Sequence, residues 1–177
     1  MRRQSQPRGI EASVTQRIPD RRKLTHISDR GAYVDKEVVK SSVPELGVPL
    51  NMAVRFGQLL FISGIPPFRE EFASKLRAAR ENKQPVPPFP EMPFEEQATV
   101  VMDHLKEIVE AAGSTMDHLL KVNVWLKNQS DAAIFDRVYR RYFSSPETLP
   151  ARTRLQAGGT PLDCGLEVEA IGYIPDK

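Results

Sequence analysis

Residues 150–173 read PARTRLQAGGTPLDCGLEVEAIGY, two short alternating runs around a loop punctuated by Gly158, Gly159, Pro161 and Gly165. Side chains alternate across a strand with period two, so Arg152, Arg154 and Gln156 share one face and Thr153, Leu155 and Ala157 the other. In the second run Leu166, Val168 and Ala170 make the apolar face, opposite Glu167, Glu169, Ile171 and Tyr173. If the two runs pair antiparallel, their charged faces coincide and bring arginines beside carboxylates. A guanidinium fork next to a carboxylate suits a small carboxylate ligand and the handling of its proton. The plain alternative is cross-strand ion pairing on a wet sheet face. Spacing alone leaves both open.

Upstream of this stretch the chain alternates strand and helix patterns. A helix is expected from Asp131 to Phe143, with Ile134, Phe135, Val138, Tyr139 and Tyr142 or Phe143 on its apolar side. Before it, LLKVNVWLK (119–127) reads as a strand with Leu120, Val122, Val124 and Leu126 inward and Asn123 and Trp125 outward. A strong helix covers Phe94 to Ala112, its stripe running Ala98, Val101, Met102, Leu105, Ile108, Val109, Ala112, and Gly113 stops it. His104 falls off that stripe, toward solvent. Met52–Phe56 and Leu59–Ser63 flank Gly57-Gln58 as a hairpin. The order is hairpin, helix, strand, helix, two strands, which predicts an α+β domain: a two-layer mixed sheet with two helices on one face. Trp125, Ile171 and Tyr173 on the opposite face predict burial against further copies in a closed homo-oligomer.

Charge divides the chain. Residues 1–40 carry ten Lys or Arg against five Asp or Glu, and the remainder fifteen against eighteen. Residues 1–40 therefore read as a flexible basic N-terminal extension, and 41–177 as one domain with a Pro-rich insert at 66–93, which holds seven of the fifteen prolines. Within the insert, FREEFASKLRAARENK (68–83) spaces Phe68, Phe72, Leu76 and Ala79 as an amphipathic helix. The basic leader lacks interleaved aromatics and any nucleic-acid motif, so no nucleic-acid partner is expected. Nor does any apolar run reach the roughly 20 residues of a membrane span. The start lacks the apolar centre of a signal peptide and the amphipathic stripe of a transit peptide, so a cytoplasmic location is expected. One cysteine, Cys164, excludes an intrachain disulfide framework, and His26, His104 and His118 show no ligand spacing, so no metal is expected.

Four segments in series carry a resemblance: LLFISGIPP (59–67), EEQATVVMDHLKEIVEAAGSTMDHLLKVNVWLKN (95–128), FDRVYRRYF (135–143) and LPARTRLQAGGTPLDCGLEVEAIGY (149–173). Together they resemble the RidA/YjgF family of reactive-intermediate deaminases over about residues 50–174. The resemblance implies a chorismate-mutase-like subunit, assembled as a homotrimer whose sheets form a central barrel with sites in the intersubunit clefts. It also implies cofactor-free hydrolysis of 2-imino or enamine acids to 2-oxo acids and ammonia. The arginine of the family's PAR motif falls on Arg152, the expected grip on the substrate carboxylate. The glutamate of its IEIEA-type strand falls on Glu167, expected to orient or deprotonate the attacking water.

The chain departs from the family pattern at four substrate-site positions. Leu50 stands where a tyrosine is frequent, Asp136 where an asparagine is frequent, and Ile65 where SGQ is usual. Arg154 stands where many relatives have a small residue or cysteine. An extra carboxylate at Asp136 repels an anionic substrate unless it pairs elsewhere, for instance with Arg140 one turn on. Arg154 either compensates that charge or binds a second carboxylate. The insert, leaving beside the family's cleft, is expected as a wall or lid suited to a diacid or an aromatic-derived enamine. Two further readings stand beside the deaminase: a non-catalytic trimer binding small carboxylate metabolites in the same clefts, and a scaffold recruiting partners through the insert or leader.

Overall fold

The computed structural model describes residues 36–176, and these form one mixed sheet of six strands with three helices. In chain order they are β1 (Lys36–Val38), β2 (Ala53–Phe56), β3 (Leu59–Ile65), α1 (Glu70–Glu81), α2 (Phe94–Ala111), β4 (Leu119–Leu126), α3 (Ala132–Arg140), β5 (Ala151–Gln156) and β6 (Leu166–Tyr173). Across the sheet the order is β1-β2-β3-β6-β4-β5. The expected hairpin forms with Phe56 opposite Leu59. Strand β6 lies antiparallel to both β3 and β4, while β5 runs parallel to β4. A parallel neighbour cannot be reached by a tight turn, and α3 supplies the crossover.

That order excludes the antiparallel pairing of residues 151–156 with 166–173, one of the arrangements the sequence left open. Strand β4 lies between them, and the loop joining them passes its end. Ala157 N–H donates to Leu126 O at 2.9 Å, and Lys127 N–H donates to Gly165 O at 2.8 Å. The two charged faces therefore do not coincide. Val122 pairs with Arg152 and Val124 with Arg154, so the arginines take the helix-covered side of the sheet. Glu167 pairs with Trp125 and points to the opposite side.

Helix α2 buries the predicted stripe, with Ala98, Val101, Met102, Leu105 and Ile108 fully inaccessible. Its end is fixed by backbone geometry: Gly113 adopts φ +82°, its N–H donates to Glu110 O at 2.9 Å, and Ser114 N–H donates to Val109 O at 3.0 Å. Helix α3 packs beside α2, so two helices cover one face as expected, and α1 is a third, belonging to the insert. Helix α3 ends at Arg140, three residues before the expected Phe143. Three further expectations change. Leu120 is exposed, because a register shift between Leu119 and Lys121 puts Leu119 inward instead. His104 is half-buried rather than solvent-facing, and burial lowers its pKa from the ordinary 6.5. The extension expected over 1–40 lies mostly outside the described residues, but its last part is β1, paired with β2 through Val38 and Val54.

The insert carries a small core of its own. Phe68, Phe72, Leu76 and Cys164 are buried together, with Leu46, Phe89 and Leu162 packed around them. Phe68, Phe72 and Phe89 stand 5.1–5.6 Å apart between ring centroids, in tilted and edge-on arrangements. Arg77 donates to Glu45 O at 2.7 Å and Arg80 donates to Leu46 O, fastening α1 to the segment before β2. Burial also pushes the Cys164 thiol up to about 12, an inert filler of this core. Leu76→Ala is expected to lower stability by about 2–5 kcal/mol. Urea unfolding, with limited proteolysis of the 82–93 segment, measures it; an unchanged midpoint and cleavage rate would refute the packing of the insert.

Candidate active site

The edge strand β5 carries two arginines on its helix side, and α3 supplies what they meet. Phe135, Asp136 and Tyr139 occupy adjacent positions on one flank of that helix. Arg152 Nη2 lies 2.7 Å and Arg154 Nη1 2.8 Å from the same oxygen, Asp136 Oδ1. Arg154 Nη1 also donates to Ala132 O at 3.3 Å. The Arg152 guanidinium carbon sits 4.7 Å from the Tyr139 ring centroid and 5.8 Å from that of Phe135, within cation–π range. All three charged side chains keep partial contact with solvent, Arg152 at 26%.

Two positive charges here meet one negative charge, leaving a surplus of one. Burial pushes the Asp136 carboxyl up, but the hydrogen bond from Arg154 and the charge of Arg152 outweigh it, and its pKa falls below the ordinary 3.8. Asp136 therefore stays ionised at neutral pH. Among the described residues, two buried polar atoms of this cluster have no partner: Arg154 Nε and the Tyr139 hydroxyl.

Glu167 stands apart. It lies on the helix-free side of β6, against Gly64 in the stretch of β3 where the register shifts between Ile62 and Ile65. A Cβ at position 64 would overlap the Glu167 carboxylate, so only glycine admits this approach. Burial, and secondarily the Glu169 charge, raises the Glu167 pKa above 4.5. Glu169 is itself occupied, accepting from Asn123 Nδ2 at 2.7 Å.

Of the residues expected at the site, the fold thus joins Arg152, Arg154 and Asp136 and places the others elsewhere. Ile65 is a correction: past the register shift it pairs with Val168, and its side chain is fully buried in the main core. Leu50 is 47% exposed and lines a cleft built from residues 38–52, away from the arginines. The partner expected for Asp136, Arg140, is replaced by Arg152 and Arg154 across the helix–strand groove. Phe135 and Tyr139 were legible only as apolar helix positions. Their aromatic i, i+4 spacing on the helix that crosses to an arginine-bearing strand is the signal that identifies a platform for Arg152.

The profile of the family described as Endoribonuclease L-PSP matches residues 41–174. A RutC family protein of Pyrococcus horikoshii is 30% identical over 139 residues, covering 78% of this chain and 98% of that protein. The protein of Dermatophagoides farinae named 2-iminobutanoate/2-iminopropanoate deaminase is 25% identical over 126 residues, 71% of this chain and 86% of its own length. The crystal structure of RidA from an Antarctic Psychrobacter species shares 28% identity at a TM-score of 0.65, over 78% of this chain and 99% of that one. The sheet order and helix placement are those of the chorismate-mutase-like fold that such structures share. With the profile spanning nearly all of the described residues, the chain belongs to the Endoribonuclease L-PSP family, the RidA/YjgF family.

Proposed function

We propose that this protein hydrolyses 2-imino or enamine acids to 2-oxo acids and ammonia, without a cofactor. Arg152 binds the substrate carboxylate, and Glu167 positions or activates the water. The observation that carries this reading is the state of Arg152: its guanidinium is fixed by one carboxylate oxygen and two aromatic rings, yet remains partly open to solvent. A fork held in this way loses little freedom when a carboxylate docks on it. Water then adds to the imine carbon, a proton passes to nitrogen, the C–N bond breaks and ammonia leaves. Burial, which raises the Glu167 pKa above the ordinary 4.5, makes its carboxylate a stronger base for that proton traffic.

Arg152 and Glu167 lie on opposite sides of one subunit's sheet, so this reading requires a second copy to close the site. Homotrimeric assembly meets that need. The helix-free face supports it, since Phe56, Phe61 and Ile171 lie exposed there at 51%, 39% and 37%. The rival reading, a non-catalytic trimer binding small carboxylate metabolites, draws on the ion pair with Asp136, which already satisfies part of Arg152.

The test is a coupled assay in which an amino-acid oxidase generates 2-imino acids and semicarbazide competes for them. Wild type is expected to lower trapping. Arg152→Ala is expected to lose about 10- to 100-fold in kcat/KM, the scale of a charged hydrogen bond, and Glu167→Gln about 10²- to 10⁴-fold in kcat. An inert wild type that still binds 2-oxo acids would establish the rival. Gly64→Ala is expected to displace the Glu167 carboxylate, lowering activity while thermal stability stays within about 1 kcal/mol, because the group displaced is the tip of a flexible side chain.

Glu167 also makes a stability prediction. A carboxyl whose folded pKa is raised is fully compatible with folding below its unfolded pKa, near 4.5, and opposes folding as pH rises through the higher folded value. Glu167→Gln is therefore expected to be as stable as wild type below about pH 4.5. It should be more stable at neutral pH. A Glu167→Gln melting temperature equal to that of wild type at pH 7 as well as at pH 4 would refute it.

A further inference from the structure

The charge arrangement around Arg152 has a feature that a carboxylate grip alone does not require: a second arginine on the same Asp136 oxygen. If Asp136 faced Arg152 only, an incoming acid would have to part a half-buried carboxylate from its sole partner, leaving that charge poorly compensated. With Arg154 Nη1 at 2.8 Å from Asp136 Oδ1, the carboxylate already has a second partner and does not need to leave. Arg154 is well placed for this. Its backbone register with Val124 fixes it in the sheet, and Ala132 O accepts from the same nitrogen, so the guanidinium stays put when Arg152 is engaged.

We propose that Arg154 is a positioning residue for Arg152: by holding the Asp136 carboxylate it releases the Arg152 guanidinium to an incoming acid, so that the cluster accepts one negative charge and not two. The inference rests on the reading of Arg152 as the carboxylate anchor. Its charge balance is direct. Two guanidiniums and one carboxylate leave one positive charge, which a monocarboxylic acid neutralises and a dicarboxylic acid exceeds. Arg137 and Arg140, exposed on α3, are screened by salt and change this little. A Glu167 carboxylate brought in by a second copy repels each negative charge of the ligand, so it penalises a diacid more than a monoacid and leaves their order unchanged. The departures at positions 136 and 154 are then one feature, a carboxylate installed together with the arginine that holds it. The diacid expected from two arginines is disfavoured, because Asp136 already occupies one of the two places.

Calorimetric titration of the full chain tests this with 2-oxopentanoate and 2-oxoglutarate, which share a carbon skeleton and differ by a terminal carboxylate. Wild type is expected to bind the monoanion at least about tenfold more tightly. Arg154→Ala is expected to weaken the monoanion about tenfold, because Asp136 then belongs to Arg152 alone, while Arg154→Lys retains most binding. The decisive variant is Arg154→Ala with Asp136→Asn, in which the monoanion returns to near wild-type affinity. A merely structural role for Arg154 predicts no such rescue. Asp136→Asn alone is expected to narrow the gap between the two acids. If the double variant stays weak, or Asp136→Asn leaves the gap unchanged, the inference is overturned while the anchor stands. If Arg152→Ala binds both acids as wild type does, the anchor itself fails, and the inference with it.

Discussion

The parallel register of β4 and β5 is the constraint on which the rest of this molecule depends. Two parallel neighbours must be joined by a crossover, and the crossover must lie on one face of the sheet. Here it is α3, so what β5 presents on that face meets side chains of α3 and keeps only part of its contact with solvent. Because Val122 and Val124 are core residues, the positions in register with them, Arg152 and Arg154, must point the same way. The arginines therefore sit under a helix by topology, before any chemistry is considered. The same register sends Glu167 to the other side, since it pairs with Trp125 one step out of phase.

Placing two guanidiniums beneath a helix creates an electrostatic problem that α3 answers with three side chains. Two like charges in a partly dehydrated groove repel, and each has lost part of its hydration. Asp136 offsets one charge, and the aromatic faces of Tyr139 and Phe135 receive the flat guanidinium of Arg152 without requiring another hydrogen-bond acceptor. The compensation is incomplete by one charge. A purely structural cluster has no reason to stop there, because a second carboxylate on α3 would finish it. The residual positive charge leaves the groove electrostatically open to an anion, where a second carboxylate would have closed it into an ion-pair network.

Local pattern was legible where one element decides it. The stripe of α2 and its stop at Gly113, the hairpin around Gly57-Gln58 and the amphipathic α1 inside the insert all rest on interactions within a few residues. What alternation could not convey was partner choice: Arg152 and Glu167 both sit on polar faces of alternating strands, and nothing in their spacing says that β4 separates them. The ordinary rule that the charged face of a strand is the wet face also fails at β5. An edge strand at the rim of the core can turn arginines inward, their apolar stems packed and their heads paired across to a helix. Asp136 shows the same limit. A search for its partner along the helix finds Arg140, whereas the real partners are 16 and 18 residues away and meet it only once the crossover is made.

The insert enters this scheme through the loop before β6. It departs after Ile65 and returns at Pro93, the N-cap of α2, so it adds residues without breaking a strand pairing. Yet it is not independent of the sheet. Gln97, buried near the start of α2, donates to Met92 O at 2.8 Å and accepts from Gly165 N–H at 2.6 Å, binding the end of the insert to the residue before β6. The preceding loop holds Leu162 and Asp163 at positive φ, +52° and +64°, conformations that oppose L-residues by about 1 kcal/mol each. Leu162 packs against the Phe68–Phe72–Leu76 cluster, and Asp163, a residue type that tolerates this region, pairs with Lys127 at 2.6 Å on the surface. A loop in such a conformation persists only while its surroundings enforce it. Glu167 follows Gly165 by two residues, so the insert's aromatic core helps fix the point from which β6 begins, and with it the placement of the Glu167 carboxylate against Gly64.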